Sequence, residues 1–499
     1  MAVSFNQIPS NWPLPLFWAE VDPSKAGGII ISDRALLWGV KLAAGTAEAG
    51  VPIPVGVAAQ GAALFGAGSM AARMLTAFRR RNTTGEVWVV PIAEPPAGVA
   101  ATGTVVIATP PTSAGTLFLY IAGQKVSIAV AATDTTATTA TKIATAITAA
   151  TDLPVTAAAT TSTVTLTCKW KGESGNDIRV ETNYLGSLGG EAFPAGLTLT
   201  ITAMASGTGA PDFTSAIANL GDQEFDHNAF PFTDTASLDA FRDLIVARWA
   251  FDRQLYGWGF SAKRGTYAAL LTFLAARNDP GMSIDMVEAT VPTPVWEIAA
   301  LNAAAAAQAL NADPARPLQT LLLTGALPAP AKDRFMKSER AALALQGGWT
   351  HDVTRDGQIM IETSVTTYKT NSYGVEDRAY RRIETRATLA RILREQRAII
   401  TSEYPRHKLA NDGTRFGPGQ AIVTPNVVRA RLVAQFRELE ERGLVENAKA
   451  FKDNLVVERD GTDPNRLNVL WPPDLVNQLV VFAVLAQFRL QYSTTSDLT

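Results

Sequence analysis

The sequence predicts a multidomain chain that combines an α/β body with α+β parts. Three observations carry this. At 499 residues the chain exceeds what one hydrophobic core holds, so about two to four domains are expected. Strand-like and helix-like stretches alternate at short intervals from residue 29 to 95 and again after 212, the rhythm of a mostly parallel sheet covered by helices. Between them, residues 99–205 are dominated by Thr, Ala, Val and Gly with few charges, a composition suited to short strands. The simplest division is a discontinuous central α/β domain (23–95 plus 212–370) and an inserted Thr-rich, β-rich α+β domain (96–211). A C-terminal α+β domain (371–481) follows, and extended terminal arms (1–22 and 482–499) flank the whole.

The elements follow in order. Ser4 to Asp22 carries three prolines among scattered aromatics, so it is extended: proline lacks an N–H and clashes with the preceding helical turn. Such an arm needs a partner surface or is a frayed end. Leu36–Leu42 reads as a strand, Ala62–Arg80 as a helix with Leu64, Phe65, Met70, Met74, Leu75 and Phe78 at helical spacing, and Glu86–Ile92 as a second strand. In the insert, Thr104–Ile107, Thr116–Ile121, Lys125–Val130, Val164–Thr167 and Leu197–Thr202 read as strands. Thr135–Ala150 reads as a helix capped by Asp134. After Asp212, helices are expected at Phe213–Leu220, Thr235–Trp249, Thr266–Ala276 and Val295–Leu310. Strands are expected at Phe225–Ala229, Trp258–Ser261 and Met282–Val287.

The last part changes character. Ala379–Ile400 reads as a long basic helix and Pro425–Arg442 as a second, with Val428, Leu432 and Phe436 on one stripe. Leu455–Val457 reads as a strand. From Leu479 on, Phe482, Val484, Ala486, Phe488, Leu490 and Tyr492 are apolar, and Gln487, Arg489 and Gln491 alternate with them as polar residues, the period of a half-buried strand. A strand so late in the chain either folds back or pairs with another subunit. Between Glu376 and Lys408 nine Lys/Arg face five Asp/Glu. This is either a solvated face paired with Glu384 and Glu395 or a cationic surface for an acidic partner.

Composition excludes several classes of function. A net charge of −2 gives no general pull toward nucleic acid or anionic membrane. The lone Cys168 makes no internal disulfide framework. No basic n-region precedes an apolar core near Met1, and no apolar run reaches the roughly 18–20 residues of a membrane span, so folding in a cytoplasm is expected. His227, His351 and His407 lack metal-ligand spacing, and no GxSxG elbow is present. The glycines Gly61, Gly66 and Gly68 lack the Lys-Ser or Lys-Thr of a phosphate loop, and Gly257-Trp258-Gly259 lacks the rest of a dinucleotide fingerprint. No catalytic residue, metal or cofactor is expected; a Ser-His-Asp hydrolase built on one of the three histidines is the rival reading.

Several phrases resemble the tail sheath family of Mu-like contractile phages: SFNQIPSNWPLPLFWAEVDPSKA at the start, LTCKWKGESGNDIRVETNY from Leu166, FDHNAFPFTD from Phe225 and IETSVTTYKTNSYGVEDRAY from Ile361. The closest likeness is VTPNVVRARLVAQFRELEERGLVENAKAFKDNLVVERDGTDPNRLNVLWPPDLVNQL, and the phrases span nearly the whole chain in order. The resemblance implies a subtilisin-like α/β core and a structural, non-enzymatic subunit. Such subunits form hexameric rings stacked helically around a tail tube, and contraction drives the tube through the host envelope for genome delivery. It implies arms exchanged between subunits: Phe5, Ile8, Trp12, Leu14, Leu16 and Trp18 in the first, and Phe482, Val484, Phe488, Leu490 and Tyr492 in the second. Leu455, Val456, Val457 and Glu458 form the receiving strand. It also implies a tube-facing basic helix with Arg378, Arg381, Arg382 and Arg386. The implied partners are further copies of itself, the tube protein, and baseplate and terminator proteins, with no direct contact to nucleic acid. The place is a virion tail assembled in the host bacterial cytoplasm. A tail tube subunit or another tail-associated assembly protein is the third reading, and the length of the chain argues against the tube.

Overall fold

The computed structural model describes residues 33–490. β1 (Ala35–Val40) is entirely buried, and β2 (Ile53–Pro54) follows it. The helix expected over 62–80 is two: α1 (Gly61–Phe65) and α2 (Met70–Arg81). Gly66 and Gly68 take positive φ between them, and a Cβ on Gly68 would lie 2.3 Å from the Leu153 carbonyl oxygen. Ser69 then restarts the helix, its Oγ accepting from Ala72 N at 3.1 Å. β3 (Val87–Ile92) completes the first half of the central sheet.

Residues 102–205, which the sequence reading assigns to the insert, hold β4 (Thr102–Thr109), β5 (Gly115–Ile121), β6 (Gln124–Val130), α3 (Thr136–Ala149), β7 (Val155–Thr160), β8 (Thr163–Cys168), β9 (Val180–Thr182) and β10 (Thr198–Ala205). They make a four-stranded sheet, β10-β4-β8-β7, and a three-stranded one, β6-β5-β9. Ile143 and Ile147 of α3 are buried, at the predicted spacing. Its cap is Thr135, not Asp134: Thr135 Oγ1 accepts from Thr138 N, while Asp134 accepts from Ala131 N and Lys142 Nζ.

The body resumes with α4 (Thr214–Asn219), β11 (His227–Ala229), α5 (Thr235–Trp249), β12 (Trp258–Gly265), α6 (Tyr267–Ala275), β13 (Met282–Glu288), α7 (Val295–Ala312), α8 (Lys337–Leu345), β14 (Thr350–Val353) and β15 (Ile359–Thr363). The central sheet runs β13-β12-β11-β1-β3-β2. All pairs are parallel except the edge strand β2, and Ala35 is in register with both His227 and Val87. α7 is buried along most of its length against α2 and the sheet, and its run Ala303–Ala306 is wholly buried because alanines let the backbones approach closely.

The rest is α9 (Ile383–Glu403), β16 (Lys408–Leu409), β17 (Ile422–Val423), α10 (Pro425–Glu441), β18 (Val445–Glu446), α11 (Ala448–Asn454), β19 (Val456–Arg459), β20 (Leu467–Leu470) and β21 (Asp474–Leu475). These build a second core around Val428, Leu432, Phe436, Leu439 and Phe451. Among the described residues no strand forms beyond Leu475, so the expected strand from Leu479 on is absent within this single chain.

Candidate assembly site

The crevice at the carboxyl ends of β1 and β11, where strand order reverses, is where open α/β sheets usually bind ligands. Here the insert enters it. Asp177 Oδ2 accepts from Val295 N at the start of α7 at 2.8 Å, and its Oδ1 lies 3.1 Å from Arg264 Nε on β12. Burial raises the Asp177 pKa despite Arg264. The same docking is held by Arg73, which donates to Glu297, Gln124 and the Ala122 carbonyl at 2.6, 2.7 and 2.9 Å. Trp170 also packs edge-on to Trp296.

The histidines sit in settings unsuited to hydrolysis. His351 has Asp285 Oδ1 2.9 Å from Nδ1 and Glu288 Oε2 3.2 Å from Nε2, leaving neither nitrogen for a serine. Burial lowers its pKa, but the two carboxylates outweigh burial and lift it to about 10. His227 is fully buried, packed against the Trp258 and Phe260 rings with Nε2 3.3 Å from Asp33. His407 packs edge-on to Tyr404 near the surface.

At the opposite, amino-terminal edge of the sheet α9 crosses beneath the strands. Arg394 Nη2 donates to Glu224 Oε1 at 2.7 Å and to Asp226, and Asp33 lies 3.8 Å from both Arg391 and Arg394. Burial raises Asp226 more than Arg394 lowers it. Burial also pushes Asp33 up, but His227 and the two arginines outweigh it and hold it low. This ion network locks the C-terminal part to the body.

The four basic residues expected on one helix separate. The helix starts at Ile383, because Arg382 makes an antiparallel bridge with Val365 and Thr366 N donates to Arg381 O. Arg378 is 78% exposed beside Glu376. Arg381 reaches the Ala344 carbonyl, and Arg382 is half-buried. Arg386 is a correction: it is 5% exposed, with its guanidinium 4.0 Å over the Trp249 ring, so it lies inward and off any outer face. The buried arginines and their carboxylates were missed in the sequence. The available signal was Arg386 sharing a helical stripe with Ile383 and Ala390.

The segment expected to receive an arm follows α10 and α11. Pro425 opens α10 at the position where a missing N–H costs nothing. Phe436 stacks on Phe451 at 3.9 Å, and Trp471 packs on both. Leu455 ends α11 and is buried; it is not part of the strand. Val456, Val457 and Glu458 lie in β19, which pairs antiparallel with β20 in a two-stranded ribbon. Val456 is 44% exposed, and each strand of the ribbon has one open edge among the described residues. Asp460 closes the turn, its carboxyl held far below the usual range by N–H groups of Asp463 and Thr462, the Thr462 hydroxyl and Asn468.

The chain leaves this unit at Gln478 and Leu479, where Gln478 Nε2 donates to the Ala315 carbonyl and Gln319 Nε2 to the Leu479 carbonyl. Beyond, Val481, Phe482, Val484, Leu485, Phe488 and Leu490 are between 71% and 96% exposed. Val481, Ala483 and Leu485 show that the clean alternation begins only near Ala486; the earlier stretch is apolar on both faces, as in a strand covered on both sides. Phe5, Ile8, Trp12, Leu14, Leu16, Trp18 and Tyr492 lie outside the described residues.

Comparison with known proteins places this geometry in a family. Residues 206–367 match the phage tail sheath protein central domain and residues 375–489 the phage tail sheath C-terminal domain. The chain is 44% identical over 492 residues, 98% of its length and 100% of the relative's, to the Mu-like prophage FluMu tail sheath protein of Haemophilus influenzae. Among solved structures it is similar to the sheath tail protein of Desulfitobacterium hafniense (12% identity, 94% and 97% of the two chains, TM-score 0.49). A second is the anti-feeding prophage helical sheath in its contracted state (11% identity, 96% and 100%, TM-score 0.46). The near full-length identity leaves the hydrolase reading without support: the chain belongs to the phage tail sheath family, alongside sheaths of Mu-like prophages.

Proposed function

We propose that this sheath subunit polymerises helically around a tail tube through exchanged terminal strands, and that contraction of the assembly drives the tube through the host envelope. The observation that carries the reading is the apolar segment 481–490, exposed in a single chain. Burying a large apolar side chain is worth about 1.5–3 kcal/mol, so its six large apolar residues withhold roughly 9–18 kcal/mol until something covers them. Strand addition to an open edge supplies main-chain hydrogen bonds and side-chain pockets together. In this reading Phe482, Val484, Phe488, Leu490 and Tyr492 join the ribbon of a neighbour, whose strand at Val456, Val457 and Glu458, entered at Leu455, offers the edge. The N-terminal arm from Phe5 to Trp18 makes the second link. A head-to-tail contact that does not close generates a helix.

The arms keep subunits tethered while their bodies, of subtilisin-like fold, rotate between an extended and a contracted packing, a bistable device needing no nucleotide. The insert (96–211) faces outward, and the loop carrying Arg378, Arg381 and Arg382 faces the tube. Hexameric rings, baseplate and terminator contacts and assembly in the host cytoplasm complete the proposal. Sedimentation velocity tests the central step. The chain forms large, concentration-dependent species, and a chain with Phe482→Asp and Phe488→Asp stays monomeric with unchanged melting. Equal assembly by that variant overturns the arm exchange.

A further inference from the structure

Arg386 is the exception among the buried arginines. Arg73 meets Glu297, Arg264 meets Asp177, Arg277 meets Asp279 and Arg394 meets Asp226. Arg248 is satisfied by the carbonyls of Gly221 and Gln223. Arg386, 5% exposed, makes no hydrogen bond or ion pair among the described residues, and its Nε is buried without a partner. Its guanidinium lies 4.0 Å over Trp249 and 5.5 Å from the Tyr380 ring centroid, contacts that orient a cation without neutralising it. It borders a groove of about 400 Å³ whose other walls include Phe241, Ile245, Val246, Pro280 and Met282. The carboxylate on that wall, Asp279, is already taken by Arg277 at 2.8 and 2.9 Å. A buried, unpaired cation beside an apolar groove is costly unless a carboxylate arrives from elsewhere.

The chain itself supplies one. The described residues begin at Asp33, 3.8 Å from Arg391 and Arg394, and these lie five and eight residues beyond Arg386 on α9. At about 1.5 Å rise per residue the exit point is roughly 8–12 Å along the helix from the groove. The thirteen residues back to Glu20 span up to about 43 Å when extended, so the reach is ample. Glu20 sits among Leu16, Phe17, Trp18 and Val21, side chains matched to the apolar walls. We propose that the segment Leu16–Asp22 of this same chain packs into the groove between α5 and α9 with the Glu20 carboxylate on the Arg386 guanidinium. This roots the base of the N-terminal arm in its own body, so that Leu16 and Trp18 serve the groove and the stretch from Phe5 to Leu14 is what remains to reach a neighbour.

The test uses the full chain at a dilution where it is unassembled, so it does not depend on sheath formation. p-Benzoylphenylalanine replaces Val246, a groove residue that is 56% exposed. A mixture of ¹⁵N-labelled and unlabelled chains is irradiated, and mass spectrometry maps the cross-linked peptide. The expected product joins position 246 to residues 16–22 of the same chain. Its yield falls about tenfold in Glu20→Gln, the loss of one charge-assisted hydrogen bond, and is unchanged in Asp22→Asn. Arg386→Met gives the same loss. Cross-links to any other segment, to residues 16–22 of a second chain, or a yield indifferent to Glu20→Gln overturn the proposal.

Discussion

Arg394→Met should strike the lock between α9 and the central sheet. In the native chain Arg394 serves Glu224, Asp226 and Asp33, with the Arg394 side chain 10% exposed and those of Asp226 and Asp33 4% and 5%. Methionine keeps most of the volume but leaves two buried carboxylates short of a cation. Removing one partner of a buried pair costs about 3–5 kcal/mol. Glu224, one-third exposed, is discounted as screened. For a cooperative unit of roughly 150–250 residues each kcal/mol moves Tm by about 2–4 °C, so a fall of about 6–20 °C is expected at neutral pH. The sign with pH follows from Asp226, whose folded pKa is raised by burial. A carboxyl raised in the folded state favours folding when protonated, so its penalty grows as pH rises from the ordinary carboxylate range through the folded value. Losing Arg394 raises that value further, so the deficit is largest at neutral pH and shrinks on acidification. Asp226→Asn in the same chain should restore part of the loss. Scanning calorimetry at several pH values is the assay; a Tm within about 2 °C of the parent, or a deficit that grows in acid, refutes the reasoning.

His351 is raised to about 10, so its contribution is fully present below the ordinary histidine range and is lost as pH rises through about 10. Denaturant titrations should show stability falling by a few kcal/mol over that window, with the slope absent in His351→Gln. Gly39→Ala places a Cβ 2.6 Å from Ala71 Cα, a backbone atom that cannot step aside, and should cost about 1–3 kcal/mol in denaturant midpoint. Arg378→Glu alters an exposed pair and should leave Tm within about 1 °C while weakening co-sedimentation with tail tube protein; unchanged co-sedimentation removes Arg378 from the tube-facing surface.

Elements with strong local signals are legible in the sequence. α5 begins and ends where the sequence places it, at Thr235 and Trp249, and α7 overshoots by two residues because alanine carries no stop signal. β7 was missed because Ala157–Ala159 is poor strand sequence, held only by its pairing with β8. The hairpin of β14 and β15 was missed although Asp356-Gly357, with Gly357 at φ 83°, is a turn signal. The candidate site divides in the same way. The apolar tail is a local pattern and was read. The Arg394 network joins residues from Asp33 to Arg394, and only the apolar stripe it shares with Ile383 and Ala390 sets Arg386, paired to no carboxylate among the described residues, apart from exposed Arg378. Burial is a property of the packed whole.

Electron microscopy of the purified chain, beside the same chain ended at Val480, tests the exchanged-arm account most directly. The account predicts hollow helical rods or stacked rings from the full chain. It predicts dispersed particles of normal melting temperature from the shortened one. Rods formed equally well without residues 481–499, or a full chain that stays monomeric even with tube protein present, would contradict it.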